Sequence, residues 1–320
     1  MSRLIDEITA FLEDKGFPCS RMVHDGSIVI RTHTVGGHPR TILPLEITAT
    51  SDDEARTISG AVSESIRSLE EYPLIITEDR WNSQRSMTTA RLLAHLEVHQ
   101  QAFARNCVVR RIEKAQAQEF LDAHHSYGSA ACRYRYGLFL MRQTGHLAGR
   151  FPVEPGMTGG EPGMTGGEPG MTGGESGMTG GEPGMTGGEP GMLVVVATFS
   201  NARKWVKGDK EIRSYEWTRY ASLPGLRISG GMGKMLKTFI KEVQPDDIMS
   251  YADLEWSEGG VYSQLGFELE GQKEPVMFTV DPSTWKRSPV KPPVIPGLTG
   301  NLFFRNFGSN KYRLKLTEYE

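Results

Sequence analysis

Residues 227–268 have the sequence RISGGMGKMLKTFIKEVQPDDIMSYADLEWSEGGVYSQLGFE. This pattern predicts a glycine-rich turn, a helix over 233–243, a strand over 247–254, a short helix over 257–264 and a further strand from Phe267. Glycines let backbone amides approach a diphosphate, and the amino end of a helix favours a bound anion. Similar turns also occur where no ligand binds. The candidate cofactor-binding residues are Arg227, Ser229, Gly230, Gly231, Met232, Gly233 and Lys234.

Two side chains near this turn are candidates for catalysis. Tyr262, on the short helix, could act as a phenolic acid that protonates a leaving thiolate. The alternative is a core aromatic residue whose hydroxyl reaches the surface. Glu216, on the strand predicted over 214–222, is the best-placed candidate base, although a strand glutamate more often faces solvent. The two residues define a candidate catalytic pair, Tyr262 and Glu216.

The order of these elements resembles the Gcn5-related N-acetyltransferase (GNAT) superfamily. VYSQLGFE (261–268) is similar to the closing element of that family, and GGMGK (230–234) stands where its acyl-CoA diphosphate loop belongs. The resemblance implies an α/β (α+β) fold with a mixed, mostly antiparallel sheet flanked by helices. It also implies acetyl-CoA as co-substrate, no metal, and an amine of unknown identity as acceptor. One departure is Ile228, which occupies the family's Arg/Gln position, while Arg227 comes one residue early.

A narrower resemblance is to GNAT-like domains of phage and mobile-element proteins, which often follow a nuclease-like domain. Four segments carry it: FLDAHHSYGSAACRYRYGLF (120–139), YEWTRYAS (215–222), SYADLEWSEGGVYSQLGF (250–267) and FFRNFGSNKYRLKL (303–316). This narrower resemblance does not by itself imply that acyl transfer is retained. The resemblance therefore leaves open a non-catalytic module that binds nucleic acid or protein through a basic and aromatic surface.

The amino-terminal unit has a helix–strands–helix–strand order that resembles the core of PD-(D/E)xK nucleases. Asp25 lies on a predicted hairpin turn and Glu46 lies in LPLEIT (43–48), within the strand predicted around 40–48, and such nucleases use carboxylates to hold Mg²⁺. The lysine that this family places two residues after the glutamate is Thr48 here. A degenerate nuclease remnant is therefore expected more than an active nuclease.

The heptapeptide EPGMTGG recurs within 152–192, and its proline and glycines exclude a helix. We expect a disordered insert between two adjacent antiparallel strands, 132–141 and 193–200, since long loops are tolerated at a hairpin tip. The predicted division is a small α/β domain over 1–78, a helical connector over 79–106, the GNAT-like domain over 107–285, a Pro/Gly-rich insert over 286–301 and a terminal strand and tail over 302–320.

Composition limits the possible environments of the chain. The net charge of −3 gives no global basic field for nucleic acid. Three isolated cysteines predict free thiols in a reducing compartment. No apolar run approaches the ~18 residues that span a bilayer, so we expect no membrane partner and a cytoplasmic location. The adjacent pair His124-His125 has no third metal ligand at a suitable spacing, which favours a substrate-side or structural role.

Overall fold

The structure is a computed structural model that describes residues 3–141, 191–290 and 300–319. In this part of the chain, seven α-helices combine with mostly antiparallel sheets, which confirms the predicted mixed α+β class. The cysteines, all within the described ranges, are free thiols.

The amino-terminal unit is a four-stranded sheet between two helices. Its elements are α1 (Arg3–Asp14), β1 (Ser20–His24), β2 (Ser27–His33), β3 (Pro39–Leu45), α2 (Asp52–Arg67) and β4 (Leu74–Thr77). The strand order is β1-β2-β3-β4, antiparallel except for the parallel pair β3–β4. Apolar side chains of α1 pack with Ile30 and Ile42, whereas those of α2 pack with Val29 and Leu43. The sheet therefore has a helix on each face, as alternation along its strands requires.

The segment after β4 is less helical than predicted. It contains α3 (Glu78–Ser83), α4 (Arg85–His95), β5 (Gln100–Phe103) and a short 3₁₀ turn (Ala104–Asn106). Strand β5 pairs in parallel with β11 (Leu226–Ser229), which leads into the glycine-rich turn. The connector thus supplies one of the strands that hold that turn.

The main sheet has eight strands. Its elements, with the helices among them, are β6 (Cys107–Arg111), α5 (Lys114–His124), β7 (Tyr134–Leu140), β8 (Met192–Phe199), β9 (Arg203–Lys207), β10 (Lys210–Ser222), α6 (Gly231–Val243), β12 (Asp247–Asp253), α7 (Gly260–Gln264), β13 (Glu268–Lys273) and β17 (Ser309–Lys315). The order is β13-β17-β12-β10-β8-β7-β6, with β9 paired to β10. Helix α6 covers one face, where Phe239 stacks on Phe199 at 3.8 Å, and α5 packs on the other through Phe120 and Leu121.

A three-stranded sheet joins the carboxy-terminal part to the amino-terminal unit. It consists of β14 (Met277–Val280), β15 (Arg287–Pro289) and β16 (Leu302–Arg305), in the order β15-β14-β16. Phe278 and Phe304 share a buried cluster with Val62 and Ile66 of α2. Part of the segment expected as a Pro/Gly-rich insert is therefore paired strand, because β15 lies within it.

The expected hairpin around the repeats is confirmed at its base. Strands β7 and β8 are antiparallel neighbours, and Leu140 pairs with Met192. Met192, predicted as the end of the insert, is the first residue of β8. The EPGMTGG repeats themselves lie outside the described residues.

Candidate functional site

A cavity of about 1490 Å³ opens beside the glycine-rich turn. Helices α3 and α4, the loop after α5, the end of β10 and helix α7 supply its other walls. The volume exceeds the roughly 300–1000 Å³ typical of drug-sized ligand pockets, so an extended ligand fits. Six lining side chains are cationic and two are aspartates. They are Arg80, Arg85, Arg91, Arg227, Lys286 and Arg287, with Asp79 and Asp122.

The backbone of the glycine-rich turn is shaped for close approach. Gly230 has a φ of 76°, in the left-handed region that favours glycine, and precedes the first residue of α6, Gly231. No side chain caps this helix, and its first amides have no acceptor within the helix. A Cβ at Gly231 would lie 3.2 Å from the hydroxyl of Tyr220. The turn therefore presents amide donors to the cavity with a phenol close by.

Six of the seven predicted cofactor-binding residues line this cavity, and Lys234 does not. Its Nζ donates hydrogen bonds to the carbonyl oxygens of Ala104 at 2.8 Å and of Cys107. The ammonium group thus ties α6 to the 3₁₀ turn before β6. Ser229 lines the cavity, and its Oγ accepts a hydrogen bond from Gln101 at 2.8 Å. Lys234 is consequently engaged by the backbone, away from a ligand at the turn.

Strands β10 and β12 separate close to this turn. They pair in parallel only from Ser214 to Glu216, after which β10 shifts register and follows β8. At the point of separation, Ser250 Oγ donates to the carbonyl oxygen of Trp217 at 3.0 Å. Since a serine hydroxyl has one proton, it then accepts the hydrogen bond from the phenol of Tyr262, at 2.8 Å. Ser250 and Tyr262 therefore bridge the gap between the strands.

The structure does not bring Tyr262 and Glu216 together at the cavity. Tyr262 packs in the core against Tyr312, with ring centroids 5.2 Å apart, and burial raises the pKa of its phenol. The Glu216 carboxylate lies 3.9 Å from Arg203, and neither candidate is a cavity-lining residue in the described ranges. Tyr220 is the phenol at the turn, and burial raises its pKa as well. The catalytic roles of Tyr262 and Glu216 stay predictions.

A buried ion-pair network forms another part of the cavity wall. Arg287 binds Asp79 through two nitrogens, at 2.6 and 2.9 Å, and binds Glu255 at 2.7 Å. Arg80 reaches the other oxygen of Glu255, also at 2.7 Å. Burial alone would raise the pKa of Glu255, but Arg287 and Arg80 outweigh it and hold that pKa below its ordinary value. The network joins α3, the end of β12 and β15, and so fixes this wall.

Histidines 124 and 125 lie on the cavity wall as neutral imidazoles. Burial, followed by Arg219 and Arg91, lowers the pKa of His125 to about 3. Its Nδ1 accepts a hydrogen bond from the amide of Tyr127 at 3.2 Å. Burial also lowers the pKa of His124, whose Nε2 has no hydrogen-bond partner in the described ranges. His124 Nε2 is therefore a buried ring nitrogen without a hydrogen-bond partner in these ranges.

Sequence reasoning assigned no role to Tyr220, Arg80, Arg91 or Arg287. A signal for Arg80 was available in EDRW (78–81), the element that follows β4. Tyr220 lies in the segment YEWTRYAS (215–222), but its position depends on the register shift between Trp217 and Arg219. Such shifts cannot be seen in strand periodicity.

The amino-terminal candidates lie apart from this cavity wall. Asp25, with a φ of 45°, accepts a hydrogen bond from Ser68 at 2.5 Å, and Glu46 is exposed after β3. Across the described ranges, no group of three or more His, Cys, Asp or Glu side chains is placed to hold a metal ion. None of the helices in these ranges has the length and apolar character needed to cross a bilayer.

Comparison with known proteins adds no assignment. The chain matches no protein-family model. A search of curated proteins gives no significant match.

Proposed function

We propose that this protein is a GNAT-type N-acyltransferase that takes an acyl group, most simply acetyl, from acyl-CoA and transfers it to an amine. The observation that carries the proposal is the position of the glycine-rich turn on the wall of a large, mainly cationic cavity. Amides at the start of α6 supply hydrogen bonds for a diphosphate, and the helix dipole favours its charge. Arg227, on the same wall, supplies a compensating charge.

In the proposed reaction the amine nitrogen bonds to the thioester carbonyl carbon, and the carbon–sulfur bond breaks. The amine loses a proton to a base, and the departing thiolate gains one from an acid. His124 lies on the cavity wall as a neutral imidazole and is the candidate for the first role. Tyr220 suits the second, because its hydroxyl lies against Gly231 and its raised pKa keeps it protonated.

The separation of β10 and β12 also supports the proposal, since the family resemblance implies a splayed strand pair beside the pantetheine arm. The bridge from Ser250 to Trp217 occupies this gap. It favours a second candidate function, a non-catalytic module that binds nucleic acid through the cationic cavity wall. The two functions differ in whether the chain binds CoA.

A thermal-shift titration with CoA distinguishes them. We expect CoA to raise the melting temperature, because a ligand that binds only the native state stabilises it. Gly233→Glu should abolish this rise in melting temperature. A Cβ at Gly233 would contact only Leu265, at 3.5 Å, so the glutamate side chain fits there, and its carboxylate repels the phosphates of CoA. Gly231→Glu should act likewise, although its Cβ lies 3.1 Å from Ile228. Gly60→Glu, on the open surface of α2, is the matched control.

An unchanged melting temperature at millimolar CoA, together with salt-sensitive DNA binding, would support the second candidate instead. If CoA binds, incubation of acetyl-CoA with a panel of amines should release free CoA thiol. Binding without release for every amine would leave a CoA-binding protein and reject the transfer reaction.

A further inference from the structure

The guanidinium group of Arg91 is charged and has few partners. It lies on the cavity wall, 4.3 Å from the centroid of the Trp256 ring. Its one hydrogen bond within the described ranges is from Nη1 to Ser126 Oγ at 3.2 Å, and no carboxylate lies within ion-pair distance there. Burial, followed by the charge of Arg80, lowers the pKa of Arg91 to about 10, so the group stays charged at neutral pH.

Arg80 adds a second incomplete donor beside it. Its side chain is 4% exposed, and its Nη2 makes no hydrogen bond in the described part of the chain. The nearest carboxylate oxygen, on Asp253, is 3.6 Å away. That aspartate already accepts a hydrogen bond from the phenol of Tyr127 at 2.8 Å. Nη2 of Arg80 is thus ion-paired but not hydrogen-bonded, and a buried donor in that state is suited to a closer anionic acceptor.

The aromatic surroundings fix the orientation of the two arginines. Trp256 lies beneath Arg91, and the Tyr127 ring lies 4.9 Å from the guanidinium carbon of Arg80. Arg80 uses its Nε to bind Glu255, whereas the nitrogens of Arg91 other than Nη1 make no hydrogen bond in the described ranges and can match the oxygens of a carboxylate or phosphate. The ion pairs of Arg80 and Arg287 with Glu255 hold the wall behind them rigid.

We infer that Arg91 and Arg80, on the wall of the same cavity, form a second anion site that binds a carboxylate or phosphate group of the acceptor. Naming the bound molecule as the acceptor rests on the proposed function, because an anion site can exist without acyl transfer. It identifies the acceptor class as a small amine that also carries an acidic group. The acid would be held at Arg91 and the amine presented toward the acyl donor.

The experiment uses inorganic phosphate and acetate as probes at constant ionic strength. Because phosphate should also bind the glycine-rich turn, the titration is done in Gly233→Glu, where the turn is blocked. We expect a rise in melting temperature of about 2–4 °C when the probe exceeds its Kd tenfold. Adding Arg91→Met should abolish the rise, and adding Arg91→Lys should weaken binding at least fivefold. Arg105→Met, an exposed arginine over Phe103, is the control.

The relative responses to phosphate and acetate show which acid the site prefers. The inference is overturned if phosphate and acetate raise the melting temperature of Gly233→Glu and of its double variants with Arg91→Met or Arg91→Lys by the same amount. It is also overturned if neither probe raises the melting temperature of Gly233→Glu. The proposed function is tested separately with the turn intact: Arg91→Met without Gly233→Glu should retain the CoA-induced shift seen in the wild-type protein. Loss of CoA binding with a retained, Arg91-dependent anion response would reject the acyltransferase and leave the anion site.

Discussion

The phenol oxygen of Tyr262 lies 2.8 Å from Oγ of Ser250. The pair occupies the point at which two parallel strands stop pairing, so the residue expected to face a thiolate is instead part of the core. The turn has its own phenol in Tyr220, beside Gly231. This arrangement separates a structural tyrosine from a candidate catalytic one, and the distinction can be measured.

Tyr262→Phe should lower the free energy of unfolding by about 1 kcal/mol, because it removes one hydrogen bond from a packed ring. Its effect on the rate of acyl transfer should be small. Tyr220→Phe should instead lower kcat about 100-fold or more, as expected for loss of a general acid. Denaturant unfolding and steady-state kinetics on both variants check this. The reverse pattern would restore Tyr262 as the acid.

Lys234→Met should destabilise the protein by about 1.5–3 kcal/mol, since two buried carbonyl groups lose a charged donor. The CoA-induced shift should persist, because Nζ of Lys234 binds Ala104 and Cys107 and is directed away from the turn. Lys237→Met, at an exposed position of the same helix, is the control. If Lys234→Met folds normally but no longer responds to CoA, the lysine must leave the carbonyls to bind phosphate.

Gly259→Ala should cost about 2–4 kcal/mol of stability. The residue has a φ of 91°, and a Cβ there would lie 2.6 Å from both Ala252 and Tyr312. Gly260→Ala is a stringent control, because no atom lies within 4 Å of its added Cβ. Thermal unfolding of the two variants should separate them clearly. Equal melting temperatures would mean that the packing of α7 on β17 differs from the one described.

The pH dependence of stability should depend on His125. Its folded-state pKa of about 3 lies below the ordinary value of 6.5, so the unfolded chain binds the proton first. The contribution of the neutral His125 ring to the free energy of unfolding is therefore complete above pH 6.5. It decreases as the pH falls toward 3, by up to about 2 kcal/mol at pH 5. His125→Asn keeps an acceptor for the Tyr127 amide and should flatten this decline.

Denaturant titrations at pH 7, 6 and 5 measure the slope directly. His33→Asn, at an exposed position, controls for the loss of an imidazole. An unchanged slope in His125→Asn would show that this ring is accessible to protons in the native state.

Much of the element order could be predicted because apolar periodicity and glycine positions act locally. Strands β5 and β11 could not be predicted, because each has only four residues and they pair with each other across more than a hundred positions of the chain. The position of Tyr220 depends on a register shift in β10, which brings its ring to within 5.9 Å of Trp217 despite a spacing of three. The ion-pair network of Arg80 and Arg287 could not be predicted, because its charges pair only when α3, β15 and the end of β12 meet in the fold.

Strand β17 lies between β12 and β13, although both precede it in the chain. A nascent chain leaving the ribosome therefore has to keep these two strands apart until residues 309–315 emerge and insert between them. Chaperones that cover exposed strand edges would act in this interval, and truncation within β17 would leave an open edge at β12 and an unpaired β13, both prone to self-association.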